Sequence, residues 1–378
     1  MQSNQFMKHI VSQFDVPGKY ASHTEIRSGI INRTYLVDLI GAKGEAYKYV
    51  FQKINTKVFN EPYHVMQNIN SVTEHIKKRL IEEEGSYTRR VLSFAAAKSG
   101  KPYHENEIDG FWRCYEYVDD AIAYNIAPDG DHFFEAGREF GAFQWYLTDY
   151  DATTLFDTIP NFHNTVSRFA ALKEAIAADK AGRLKNVQDE VDFILSREAD
   201  AGIIVNALEN GEIPYRVTHN DTKINNVLFD ATTDKAICVI DLDTVMPGSS
   251  LYDFGDAIRS GACAAAEDEP DLSKVEMDIE KYRLFTKGFI KGTHSMLTEK
   301  EIEMMPISAK ILTLELAARF LTDYLNGDVY FHTDFNGQNL LRTRTQIKLV
   351  SDIESKLDAM TALANEYAEK YAQMFAAE

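Results

Sequence analysis

Between Val217 and Thr244 the chain sets a polar, acid-bearing loop inside a frame of short apolar runs. Residues 215–218, 227–230 and 236–241 each read as strands, with residues 231–234 as the connecting turn of the last two. The loop after the first strand holds His219, Asp221, Lys223 and Asn226. The third strand, Ile237-Cys-Val-Ile240, delivers Asp241, with Asp243 expected on the same strand face and Thr244 just beyond. A strand pair this short is stable only when packed on a larger body, so the acids sit on a rigid platform.

That body is legible on both sides. Residues 34–39 and 47–54 are strand-like and meet through the Gly41–Gly44 turn; Ile69, Val72, Ile76 and Leu80 then recur at helical spacing within residues 61–84. Residues 90–95 and 110–118 are expected to form a second hairpin across residues 98–101. After Val118 the texture becomes helical. Phe133, Ala136, Phe140, Phe143 and Leu147 mark one helix, residues 187–208 another ending at Asn210-Gly211, and helices dominate from Asp278 onward. The expected fold class is α+β: a small antiparallel-sheet lobe with one helix over residues 1–117, and a large, mainly helical lobe over residues 118–378. No internal repeat or low-complexity linker interrupts it.

Composition narrows the partners. A chain of 378 residues that is 45% hydrophobic and 11% aromatic can build two real cores. Its net charge of −18 disfavours nucleic acid or an anionic membrane. It favours a neutral or cationic small molecule unless a local basic pocket intervenes. The three cysteines, Cys114, Cys238 and Cys263, share no metal or disulfide spacing, which points to a reducing compartment. The N-terminus has no apolar signal region and no stretch nears the ~20 apolar residues of a membrane span, so a cytoplasmic, unanchored protein is expected.

The loop residues fit phosphoryl transfer from ATP. That reaction needs a carboxylate at the attacking hydroxyl and oxygen ligands that hold Mg²⁺ against the polyphosphate. Asp221 and Asn226 are spaced as the catalytic aspartate and metal-binding asparagine of H-x-D-x-x-x-x-N, and Asp241 and Asp243 supply carboxylates to the metal. His219 reads as a loop support, and Lys223 as either a phosphate contact or an exposed lysine. Asp253-Phe254-Gly255 spells the metal motif of protein kinases, but it follows no apolar strand and lies far from Asp221. Asp253 is therefore read as structural. In the small lobe, a turn around Gly29 with Asn32 and Thr34 can lay backbone N–H groups over phosphates. Val50-Phe51-Gln52-Lys53 offers two residues, on opposite strand faces, for the slot that a kinase fills with lysine. Its glutamate partner, Glu61 or Glu74, stays open.

Taken together, these motifs resemble the aminoglycoside phosphotransferase and choline kinase superfamily, with a protein-kinase-like bilobal fold. The likeness spans the Gly29 loop, a hinge at Glu116 and Val118, the 219–226 loop and the Asp241 strand. The longer strings at 219–229, 239–248, 251–259 and 314–330 resemble its N-acetylhexosamine 1-kinase branch. That resemblance implies ATP and Mg²⁺, and a sugar substrate phosphorylated on its anomeric hydroxyl. It assigns Arg319 and Tyr330 to the sugar site with Thr244 as a further candidate, and Gly29, Asn32, Thr34, Gln52, Glu116 and Val118 to the nucleotide. From spacing alone, Arg319 and Asp323 would read as an i,i+4 surface pair. Another small alcohol (choline, homoserine, a thioribose or an aminoglycoside) is the alternative substrate; a regulatory pseudokinase is the third reading.

Overall fold

The structure, a computed structural model, describes residues 2–26 and 31–377. The N-terminal lobe opens with helix α1 (Gln2–Ser12), then strands β1 (Lys19–Ile26), β2 (Arg33–Ile40) and β3 (Ala46–Lys53), helix α2 (Pro62–Glu84), and strands β4 (His104–Asn106) and β5 (Gly110–Glu116). Its sheet is antiparallel in the order β1-β2-β3-β5-β4. Strand alternation divides the residues between two faces. Tyr35, Val37, Phe51, Trp112 and Cys114 pack against Met7, Ile10, Val11 and Phe14 of and just after α1. Thr34, Gln52 and Arg113 are cross-strand partners on the opposite face, which looks toward α2 and the second lobe.

Two expectations for this lobe need correction. A second helix, α1, covers the back of the sheet; its apolar residues at 7, 10 and 11, continued by Phe14 just after it, have the spacing that makes a helix bury one stripe. The segment 90–97 runs beside β5 but joins it only by an isolated bridge, Phe94 to Tyr115, and meets Phe14 by another at Ala97. The hairpin partner of β5 is β4. Asn106 closes that turn by accepting from the backbone of Ile108 and Asp109 at 2.9 and 2.6 Å.

The C-terminal part begins with β6 (Ala121–Ala123) and α3 (Gly130–Tyr146), followed by α4 (Thr165–Ala178), α5 (Gln188–Leu195) and α6 (Ile203–Glu209). The single helix expected over 187–208 is broken by a 3-10 turn, Glu198–Gly202, whose Asp200 is tied to Lys310 at 2.7 Å. Strands β7 (Arg216–Thr218), β8 (Val227–Asp230), β9 (Ala236–Val239) and β10 (Met246–Gly248) form two small sheets, β10-β7 and β6-β8-β9. Helices α7 (Ser250–Gly261), α8 (Ile279–Gly292), α9 (Glu299–Asn326) and α10 (Gln338–Phe375) complete the body. Among the described residues no helix is long and apolar enough to cross a membrane.

Helices α3 and α8 pack backbone to backbone. A Cβ on Gly137 or Gly141 would run into the carbonyl oxygens of Phe285 and Phe289, and one on Gly288 or Gly292 into those of Phe134 and Arg138. Only glycine at all four positions permits this approach. The packing matters for the site because α3 also carries Phe140 and Phe143, which meet His219 in the loop after β7, and Gln144, which bonds Val217 in β7 and Asp253 in α7.

Candidate active site

The loop between β7 and β8 is held from below by groups that the fold buries completely. Asp253, in the first turn of α7, accepts from the backbone N–H of His219 (3.0 Å) and Asn220 (2.8 Å) and from Gln144 Nε2 (2.6 Å). Desolvation raises its carboxyl above the ordinary value despite those donors. This is a scaffold role, in keeping with the reading of Asp253 as structural. His219 is fully buried between Phe140 and Phe143. Its Nδ1 accepts from the Asp221 N–H at 3.3 Å, so Nε2 carries the proton and donates to the Ile240 carbonyl at 2.9 Å. One imidazole thus fixes the spacing between the Asp221 loop and the residue before Asp241. Thr244 braces the same loop, its hydroxyl donating to the His219 carbonyl at 2.7 Å.

Asp221 stands partly exposed on this platform. Asn226 Nδ2 donates to its backbone carbonyl (2.8 Å) and to its Oδ2 (3.1 Å), while Lys223 Nζ lies 2.7 Å from Oδ1. Desolvation works to lower Lys223, but the charges of Asp221 and Asp256 prevail and hold it above its ordinary value, hence protonated. Asp241 follows at the end of β9 with a left-handed backbone (φ 59), and a 3-10 turn, Leu242–Thr244, begins there. The expected continuous strand through Asp243 is therefore not formed, and the two aspartates diverge. Asp241 opens to the cleft. Desolvation at the cleft floor, then the charges of Asp243 and Asp221, push its carboxyl up to about 6. Asp243 is buried and turned to the N-terminal lobe, accepting from Asn32 Nδ2 at 2.6 Å and pairing with Arg113.

That pairing reveals how the two lobes meet. Thr34 accepts from Gln52 Nε2 at 3.0 Å, Gln52 Oε1 accepts from Arg113 Nε at 2.8 Å, and Arg113 continues to Asp243. Asn32 closes the circuit, since it also accepts from the Asn55 N–H at 3.0 Å. Gln52 therefore faces the cleft, while Lys53 turns to the other side of the sheet, its ammonium 6.0 Å from the Trp112 ring. Neither candidate glutamate reaches the slot. Glu74 pairs with Lys77 on the surface of α2, and Glu61 is its N-cap residue. The buried cation of this lobe is Arg113, from β5.

The family model described as phosphotransferase enzyme family matches residues 22–286, well over half of the chain. The chain belongs to that family. Solved structures with the same kinase-like fold include a microcompartment-associated aminopropanol kinase, 17% identical with a TM-score of 0.55, covering 94% of this chain and 98% of that one. Amicoumacin kinase hAmiN, in complex with AMP-PNP, Ca²⁺ and Ami, is 13% identical with a TM-score of 0.57, covering 93% of each chain. Plasmodium vivax ethanolamine kinase is 15% identical with a TM-score of 0.53, covering 86% of this chain and 82% of that one. This family member is a small-molecule phosphotransferase, with an antiparallel-sheet lobe set on a mainly helical part.

The remaining residues fall in three places. Glu116 and Val118 lie where β5 leaves the sheet for β6; the Glu116 N–H is bonded to the Ser93 carbonyl at 2.9 Å and Val118 is half-buried. The Gly29 turn lies outside the described residues. Arg319 and Tyr330 lie at the end of α9 and just beyond it. Arg319 pairs with Glu315 (3.9 Å), one helical turn back, and not with Asp323. Asp323 instead caps the loop after α9, accepting from the N–H groups of Val329, Tyr330 and Phe331 at 2.9, 2.8 and 3.0 Å. Tyr330 is thereby held 70% exposed. Glu315 connects this corner to the loop between β7 and β8 through His163, whose Nδ1 lies 3.1 Å from Glu315 and whose Nε2 lies 3.3 Å from the carbonyl of Asn220.

Sequence reasoning passed over two arginines. Arg113 carried a signal, being a lone charge within the apolar strand Phe111-Trp112-Arg113-Cys114-Tyr115. Arg259 carried none, since an arginine in the last turn of a helix is ordinary. Among the described residues no three His, Cys, Asp or Glu side chains converge as a metal cage. A site of one carboxylate and one amide oxygen, completed by phosphate oxygens and water, is how Mg²⁺ is held in such enzymes. Asp241, open and crowded by like charge, has the chemistry to hold it, and Asn226 stands one residue before β8 on the same platform.

Proposed function

We propose that the protein transfers the γ-phosphoryl group of ATP to the anomeric hydroxyl of an N-acetylhexosamine, N-acetylglucosamine or N-acetylgalactosamine. The observation that carries the reading is the joint placement of Asp221, Asn226 and Asp241 opposite the Thr34–Gln52–Arg113 row. In this reading Asp221 accepts the hydrogen bond of the attacking hydroxyl and takes its proton as the sugar oxygen bonds to the γ-phosphorus. The bridging β–γ P–O bond breaks, and ADP leaves with that electron pair. The anomeric hydroxyl is more acidic than the other ring hydroxyls, so a modest base held in line is sufficient. Lys223, kept protonated beside Asp221, lies where it can meet charge on the transferring group.

Mg²⁺, held by Asn226 and Asp241, would neutralise the polyphosphate. Asp243, tied to Arg113 and Asn32, serves it from behind rather than as a direct ligand. The nucleotide lies against Thr34, Gln52 and the backbone of Glu116 and Val118, and a lobe boundary after Tyr117 puts that hinge beside the adenine. The sugar is clamped by Arg319 and Tyr330, while Thr244 acts through the loop it braces. Support for the sugar comes from the resemblance of the long strings at 219–229, 239–248, 251–259 and 314–330 to the N-acetylhexosamine 1-kinase branch. Support for this acceptor over an amino alcohol comes from the cationic character of the corner around Arg319.

ADP release measured with N-acetylglucosamine, N-acetylgalactosamine, glucose, choline, ethanolamine and homoserine tests the reading. The two N-acetylated sugars should give the highest kcat/KM. A higher value for any of the amino alcohols would replace the sugar assignment.

A further inference from the structure

Asp256 and Arg259, three residues apart on α7, have the spacing of an ordinary helix-surface pair, yet little of either reaches the surface. Asp256 is 6% exposed and the Arg259 side chain 10%. The guanidinium donates through Nε and Nη2 to one oxygen, Asp256 Oδ1, at 2.9 and 2.8 Å, and its Nη1 lies 3.5 Å from Glu267. The other oxygen, Oδ2, accepts from the backbone N–H of Thr222 at 3.2 Å, inside the loop that carries Asp221 and Lys223. Desolvation works to raise the Asp256 carboxyl, but the charges of Arg259 and Lys223 prevail and hold it below its ordinary value, hence ionised.

Lys223 therefore faces two carboxylates. Its ammonium pairs with Asp221 at 2.7 Å, while the charge of Asp256 also acts on it. Between two such anions, the one that is desolvated and lacks a counter-ion attracts a cation most strongly. Asp256 is the more deeply buried of the two, and what keeps it from capturing Lys223 is that Arg259 already neutralises it. Without the guanidinium, the flexible lysine stem, whose side chain is 47% exposed, can swing the ammonium from Asp221 to Asp256.

We propose that Arg259 is a positioning residue for phosphoryl transfer: by neutralising Asp256 it keeps the Lys223 ammonium on Asp221, where the attacking hydroxyl and the transferring group meet. Glu267 holds the far end of the guanidinium, and Thr222 ties Asp256 to the loop backbone. The proposal rests on the reading of Asp221 and Lys223 as groups at the reaction centre, and it does not depend on which alcohol is the acceptor.

The test is a kinetic cycle with ATP, Mg²⁺ and N-acetylglucosamine, or the acceptor of the panel that the parent turns over fastest. Arg259→Met should lower kcat at least about tenfold, with KM for ATP and acceptor changed by less than about threefold. Arg259→Lys, which keeps the charge, should rescue kcat to within about threefold of the parent. In a Lys223→Met background, itself slower by about 10²–10³, the Arg259→Met change should cost less than about threefold, because the ammonium it would misplace is gone. An arginine that only supports the fold would slow both backgrounds alike. Asp256→Asn/Arg259→Met removes the competing anion, strands no charge and keeps an acceptor for Thr222. Circular dichroism should show it folded, and its kcat should return to within about threefold of the parent. Equal losses in the two Lys223 backgrounds, or a folded double variant slowed about tenfold or more, overturn the proposal and leave the reading of Asp221 intact. Parental kcat in Lys223→Met overturns both the role given to Lys223 and the proposal.

Discussion

Replacing Arg113 by methionine keeps most of the side chain's bulk beside Met66 and Phe94 and removes only the guanidinium. Arg113 is 2% exposed and Asp243 5% exposed, so the change strands a carboxylate at the junction of the lobes with Asn32 as its remaining donor. Gln52 loses its partner as well. Breaking one side of a buried ion pair costs about 3–5 kcal/mol, because the surviving charge stays desolvated. With an unfolding entropy of about 2 cal/mol/K per residue over 378 residues, that cost is a fall in Tm of about 4–6 °C. Calorimetry in EDTA measures it without contribution from bound metal. Asp243→Asn alone should also destabilise, by stranding the guanidinium, whereas the double variant should recover at least about 1 kcal/mol relative to the sum of the singles. A Tm within 1 °C of the parent for Arg113→Met, or strict additivity in the cycle, would refute the claim that this pair joins the lobes.

Asp253→Ala leaves the His219 and Asn220 N–H groups and Gln144 Nε2 without their acceptor, and urea unfolding should show a loss of about 3 kcal/mol or more. Asp241→Ala should keep or raise stability at neutral pH, because it removes a carboxylate crowded by Asp243 and Asp221, and should abolish the response to Mg²⁺ titration; a loss of stability with the Mg²⁺ response kept would mean the metal aspartate is Asp253. Gly141→Ala drives a methyl into the Phe289 carbonyl across the α3–α8 contact and should cost about 1–3 kcal/mol or more in the same measurement, with Gly292→Ala behaving alike. For pH, the Asp241 carboxyl titrates near 6 when folded against an ordinary 3.8, so between those values the metal-free folded state holds a proton that the unfolded chain has released. Stability of the parent relative to Asp241→Asn should therefore fall as pH rises through that window. Added Mg²⁺ should stabilise the parent chiefly above it, and a relative stability that rises with pH would contradict the crowding around Asp241.

Local chemistry made much of this protein legible. The Asp221–Asn226 spacing is set within six residues, and β2, β3 and α2 announce themselves by alternation and helical period. Strand β1 was hidden because Lys19–Ile26 is half-exposed on both faces and has no alternating apolar set. Helix α1 was readable from residues 7, 10, 11 and 14, although its polar intervening residues mask the stripe. Asp241 could be placed at the end of an apolar run, but not its left-handed backbone, which turns Asp243 away from it. The Arg113–Asp243 pair depends on the β3–β5 register and on how the lobes meet, and the bond from Thr222 to Asp256 on the packing of α7 against the loop after β7. Such long-range pairings leave no periodic trace in a sequence.

The central claim concerns where the phosphate goes. An Asp221 that faces C1 of a clamped N-acetylhexosamine gives a sugar 1-phosphate, which has no reducing end. ADP release and reducing-end content should be followed together in one reaction with N-acetylglucosamine, with Asp221→Asn as the control. The account predicts one reducing end lost for each ADP formed, and a turnover lower by a factor on the order of 10²–10⁴ in the variant. ADP formed with every reducing end preserved would contradict it.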